Sequence, residues 1–160
     1  MKTRDEGESF AAHKTRKKKG SQGKASETQV QGALTKFKAA YSFFDFDRLP
    51  DTRSAGTLMP AQVCDYTVFC RGQAYSLEVK EISKGFRLPK FVQMPRMLRR
   101  EKVGVPGIVL VHFLEKNVWV AKGLNWFDTG DASWDLTPTK ATDCDYYGAA
   151  EAALRAWWSI

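Results

Sequence analysis

The chain reads as an α/β protein, a mixed β-sheet of about five strands flanked by helices. Three observations lead there. Apolar residues recur at helical spacing at both ends of the ordered part: Val30, Leu34, Phe37 and Tyr41 first, then Tyr147, Ala150, Leu154, Trp157 and Trp158. Between them lie alternating or wholly apolar runs of strand length, at Phe43–Leu49, Val63–Cys70, Gln73–Lys80, Ile108–Leu114 and Asn117–Ala121. A helical segment separates the third run from the fourth, so the order is α-β-β-β-α-β-β-α.

Taken in order, Ser26 is placed to cap a first helix running to about Tyr41, with Glu27 in its first turn complementing the helix dipole. Phe44 and Phe46 alternate with Asp45 and Asp47 in the first strand. Pro50 to Pro60 is a loop. Strands two and three meet at Arg71-Gly72, and the basic stretch Ser83–Lys90 leads into a helix from about Pro89 to Val103, with Pro95 expected to kink it. Glu115-Lys116 turns the fourth strand into the fifth, and Asp145 is placed to cap the last helix. Residues 1–24 are too polar to bury a core and read as a flexible basic arm; residues 25–160 read as a single domain.

Of the 160 residues, 43% are hydrophobic, enough for an ordinary core. No run has the roughly 20 apolar residues needed to span a bilayer, and the N-terminus is charged rather than signal-like. Cys64, Cys70 and Cys144 have no zinc spacing and read as reduced thiols of a cytoplasmic protein. The net charge of +7 is concentrated. Residues 1–24 hold eight Lys/Arg against three acids, and residues 71–102 hold nine against three. Such clustering is the footprint of a polyanion partner, with nucleic acid the default. Lys14, Arg16, Lys17, Lys18 and Lys19 in the arm, Arg48 at a strand end, and Lys84, Arg87, Lys90, Arg96, Arg99 and Arg100 around the central block are the candidate phosphate contacts.

The chemistry sits in the segment Val63 to Lys80. If Arg71-Gly72 is a two-residue hairpin loop, paired residue numbers sum to 143, and Asp65 falls opposite Glu78 with Lys80 on the same face. The other face then carries Tyr66, Val68, Cys70, Tyr75, Leu77 and Val79, all suited to a core, together with Cys64. Two carboxylates facing each other across a strand pair repel, and a divalent cation reverses that sign. Magnesium takes oxygen ligands, often only one or two carboxylates, and fills its remaining positions with water and phosphate oxygens. A lysine beside such a pair orients the attacking water or neutralises charge growing on a phosphate. The alternative is an exposed strand face on which Lys80 merely pairs with the acids.

These residues resemble the PD-(D/E)xK nuclease superfamily, and more narrowly its RecU-like Holliday-junction resolvases. The matching elements are Cys64-Asp65-Tyr66, Gly72, Leu77-Glu78-Val79-Lys80-Glu81, Phe86-Arg87-Leu88-Pro89, Gln93, and Gly107 leading into Ile108–Phe113. The match spans about residues 24–121. The resemblance implies a restriction-endonuclease-like core and a single nuclease domain. Asp65 and Glu78 would be metal ligands, Lys80 the catalytic lysine, Glu27 a first-helix carboxylate reaching the metal, and Gln93 a supporting active-site residue. It further implies magnesium, with manganese as a substitute, and a homodimer making paired symmetric cuts in four-way DNA junctions in a bacterial or phage-infected cell. Cys64 stands where the family usually has Pro, and only the short loop from Pro50 to Gln62 is available for the family's projecting stalk. Pro50-Asp51 is a second reading of the first motif acid, less favoured because Asp51 falls in a loop. The rival functions are another endonuclease of this superfamily, restriction-like or repair nicking, and a non-catalytic DNA-binding module.

Overall fold

The alternation in the sequence builds a five-stranded sheet in the order β1-β2-β3-β5-β6. A computed structural model describes residues 25–50, 62–127, 130–137 and 146–160. Helix α1 covers residues 25–40. It is followed by β1 (Phe44–Arg48), β2 (Tyr66–Cys70), β3 (Gln73–Ile82) and a short β4 (Arg87–Pro89). Then come α2 (Met94–Lys102), β5 (Gly107–Phe113), β6 (Val118–Gly123), a 3₁₀ turn at Leu124–Trp126, β7 (Ser133–Asp135) and α3 (Ala150–Trp158).

The first three strands are antiparallel neighbours, β3 and β5 are parallel across the α2 crossover, and β6 returns antiparallel to β5. Arg71 and Gly72 have φ of 51° and 79°, the twist that lets a two-residue turn join right-twisted strands. The pairs from Cys70↔Gln73 to Tyr66↔Leu77 follow the register in which numbers sum to 143.

Two apolar layers cover the sheet. On one face Tyr66, Val68, Cys70, Leu77, Ile108 and Leu110 pack beneath α1 and α3. Helix α1 contributes Val30, Ala33, Leu34 and Phe37, one stripe at 3.6-residue spacing. On the other face Val109, Val111, Phe113 and Val120 meet Met94 and Met97 of α2, with Phe91, Leu124 and Phe127. Strand β5 is buried along its whole length, as a parallel strand covered on both faces must be.

Several expectations need correction. The exposed-face alternative does not hold at Glu78: Ser76 and Glu78 are both 0% exposed, while Asp65, Thr67 and Lys80 on that face are half-buried and Phe69 is exposed. Cys64 belongs to the layer beneath α2, not to the face shared by Tyr66 and Val68, because it lies beyond the last β2–β3 pair. Pro89 lies in β4 rather than in a helix, and β4 pairs with β7 in a second, two-stranded sheet. Helix α2 therefore starts later, and Pro95 sits in its first turn instead of kinking its middle. Ser26 lies inside α1, 1% exposed, and points at other elements rather than capping. Asp145, the expected cap of α3, lies outside the described residues. Trp119, Trp134 and Trp158 are core residues, and Trp126 remains partly exposed. Among the described residues no helix is long and apolar enough to cross a membrane.

Candidate active site

Glu78 and Lys80 stand two residues apart on β3 and project to the α2 side, in register with the buried Val109 and Val111 of β5. Asp65 immediately precedes β2. There the ladder gives way: the Asp65 N–H donates to the Leu77 carbonyl at 3.1 Å. Its carboxylate accepts the Val79 N–H at 2.8 Å. The side chain thus takes over a backbone acceptor's role, which fixes it beside the acid at position 78. The Asp65 carbonyl in turn accepts the Leu49 N–H at 2.9 Å, tying the end of β1 to the same point.

Lys80 is shared among three groups. Its Nζ donates to Glu78 Oε1 at 2.5 Å and to Gln93 Oε1 at 3.4 Å, and lies 5.0 Å from the centre of the Phe91 ring. The second Glu78 oxygen, Oε2, is buried and has no hydrogen-bond partner among the described residues. Such an unpartnered buried oxygen costs about 1–3 kcal/mol, and more for a charged group.

Electrostatics reflect this burial. Glu78 is pushed up to about 7, first by burial, then by the neighbouring Asp65 charge; the Lys80 ammonium pulls the other way. Asp65 is also raised, chiefly by burial and partly by Glu27, against the Val79 N–H, Lys80 and Arg48. Tyr66 is driven to about 12, chiefly by burial. Two carboxyls held above their ordinary range beside a single lysine make a site short of positive charge.

Of the residues expected at the site, the structure groups Asp65, Glu78, Lys80 and Gln93. Glu27 faces its neighbourhood differently. Its carboxylate binds Arg48 at 2.6 Å, and Arg48 also donates to Gln31 Oε1 at 3.2 Å. Arg48, read from the sequence as a phosphate contact, is thus engaged within the protein. Among the described residues no group of three or more His, Cys, Asp or Glu side chains is placed to hold a metal ion. The donor set the geometry offers is a carboxylate pair. Magnesium accepts that number, and Glu78 Oε2, buried with no side-chain partner among the described residues, is an oxygen such an ion could take.

Around the pair, Lys84, Arg87, Lys90 and Arg99 are exposed, while Arg96 and Arg100 are half-buried. The Arg100 charge reaches inward far enough to act on the Cys64 thiol. Asp51 and the arm residues Lys14, Arg16, Lys17, Lys18 and Lys19 lie outside the described residues.

Sequence reasoning missed a buried polar cluster behind the site. Ser26 Oγ donates to Glu81 Oε2 at 2.5 Å and sits 2.8 Å from His112 Nδ1. The His112 Nε2 approaches Asn117 Oδ1 at 3.3 Å, and the imidazole stacks on Trp119 with centroids 4.0 Å apart. A signal for it existed: alternation along β3 turns Glu81 toward the same face as Leu77 and Val79, and a carboxylate on a core-bound face demands partners.

No family profile and no curated protein matches the chain. Solved structures similar to it include that of Hjc, a Holliday junction resolvase from the archaeal hyperthermophile Archaeoglobus fulgidus. The two share 14% identity at a TM-score of 0.49, over 69% of this chain and 88% of that one.

Proposed function

We propose that the chain is a divalent-metal-dependent endonuclease that resolves four-way DNA junctions by paired phosphodiester cuts. The observation that carries the reading is the buried Glu78 carboxylate, bound on one oxygen by Lys80 and unpartnered on the other, with Asp65 beside it. A purely structural sheet gains nothing from two adjacent carboxyls whose burial opposes ionisation.

Asp65 and Glu78 would hold magnesium, with manganese as a substitute. Bound there, the ion would polarise a scissile phosphate and a water. The chain's own groups do the rest. The Val79 N–H holds the Asp65 carboxylate in place. Gln93 and the Phe91 ring fix the Lys80 ammonium, which leaves it set to orient a water or to meet negative charge on a phosphate oxygen. Lys84, Arg87, Lys90 and Arg99, exposed on the connection to α2 and along it, supply backbone contacts that position DNA without reading sequence. Symmetric cuts on opposed strands need two sites related by a dyad, which a homodimer acting in the cytoplasm supplies.

The test compares a mobile four-way junction with a matched linear duplex in magnesium, using wild type, Glu78→Ala and Asp65→Asn. Paired nicks on the junction, lost in both variants with junction binding retained, support the reading. Equal cutting of the linear duplex points to another endonuclease of the same chemistry. DNA binding with no scission by wild type reduces the chain to a binding module and overturns the proposal.

A further inference from the structure

The polar cluster behind the site joins three parts of the fold through one hydroxyl and a fourth through His112. Ser26 comes from α1, Glu81 from β3, His112 from β5 and Asn117 from the β5–β6 turn. Ser26 is 1% exposed and His112 4%, so their contact forms away from water, while Glu81 is half-buried and Asn117 exposed. The serine hydroxyl has one hydrogen. Because Glu81 accepts it, the His112 contact is made by an Nδ1–H donating to the serine oxygen. Stacking on Trp119 holds the ring flat in that direction.

The placement matters because of the sequence neighbours. Ser26 precedes Glu27, whose carboxylate holds Arg48 and whose charge acts on Asp65. Glu81 follows Lys80, whose ammonium holds Glu78. The brace therefore clamps α1 to β3 one residue away from each of two charged groups at the candidate site. We infer that Ser26, Glu81 and His112 are positioning residues that set α1 against β3 and so hold the Glu27–Arg48 pair and Lys80 in register with the Asp65–Glu78 carboxyls. This rests on the proposed function for its catalytic consequence, but not for the clamp itself.

The experiment uses the full chain with Ser26→Ala, which removes the hydroxyl, and Ser26→Thr, which keeps it. Two readouts are taken: hydrogen exchange of the amides of α1 and of Val79, and manganese binding followed by the signal of the free ion. In Ser26→Ala, exchange in the first turn of α1 and at Val79 should rise at least tenfold and manganese affinity should fall several-fold; Ser26→Thr should restore both toward wild type. Wild-type exchange and metal affinity in a folded Ser26→Ala protein would overturn the inference, as would a rise in exchange spread evenly through β5 and β6, which marks ordinary core damage. If Ser26→Ala does not fold, Glu81→Ala, which removes the acceptor of the Ser26 hydroxyl, carries the same two readouts and the same criteria. Should wild type cut no DNA, the proposed function falls, while local loosening in the exchange data would still establish the clamp.

Discussion

At the scale of single residues, Glu78 is the most informative group in the molecule. Its ordinary value is 4.5, and burial with the Asp65 charge raises it to about 7 in the folded protein. In the unfolded chain it ionises normally. The folded, metal-free protein therefore holds a proton that the unfolded chain releases, and stability is full below about pH 4.5 and is lost as pH rises to about 7. The loss should be about 3 kcal/mol. Thermal melts in chelator across that range should show falling stability, and Glu78→Gln should flatten the curve. Metal-dependent cleavage should move the other way, climbing through about pH 7 as the carboxyl becomes free to ligate. A melting curve of wild type that rises through this window would mean that Glu78 is not the strained acid described.

At the scale of elements, two glycines show how the site is framed, and by different physics. Gly72 has open space around it but a φ of 79°, so Gly72→Ala should cost about 1–2 kcal/mol purely through backbone strain in the turn that sets the β2–β3 register. Gly107, at the start of β5, is crowded instead: a Cβ there would lie 2.0 Å from Leu124 Cδ1. Gly107→Ala should cost about 1–3 kcal/mol, and a Leu124→Ala partner should recover part of it in a double-mutant cycle measured by denaturant unfolding. Additive losses would contradict the contact.

The hairpin was legible in the sequence because Arg71-Gly72 punctuates two alternating runs, but the ladder ends at Tyr66↔Leu77, so Asp65 is not paired opposite Glu78 and reaches its side through the Val79 N–H. The continuous apolar run of β5 was legible for the same reason, as a strand buried on both faces. What stayed hidden depended on contacts distant in sequence. Strands β4 and β7 have three residues each, too few for a period, and they pair across more than 40 positions. Leu88 of β4, Trp134 of β7 and the methionines of α2 share the apolar layer on Glu78's side of the sheet, where Glu78 itself is 0% exposed. Glu27 was read as a companion of Asp65 and Glu78; its Arg48 partner comes from β1, an association no local pattern displays. Ser26 looked like a cap because caps are judged from local residues, whereas its partners lie 55 and 86 positions away.

At the scale of the whole molecule, charge and chemistry are divided. Glu78 is buried and Asp65 half-buried, while positive charge is spread over exposed residues of the connection to α2, with eight further Lys/Arg in residues 1–24. Phosphate contacts release counterions, so DNA affinity should fall steeply with salt. Removing residues 1–24 should make that dependence shallower by several units of log–log slope, at most about 7 if every cation there touches a phosphate. The same truncation should leave the metal requirement unchanged, because the candidate ligands lie elsewhere. An unchanged salt slope would show that the arm does not meet DNA.

The central claim is that Asp65 and Glu78 together hold a divalent ion that Glu78 must ionise to receive. Its most direct test is calorimetric titration of manganese near pH 7 in two buffers of different ionisation enthalpy, with wild type and Glu78→Gln. The account predicts one ion per chain with release of a fraction of a proton up to about one in wild type, and neither in the variant. Binding of equal strength and equal proton release in Glu78→Gln, or no binding to wild type, would contradict it.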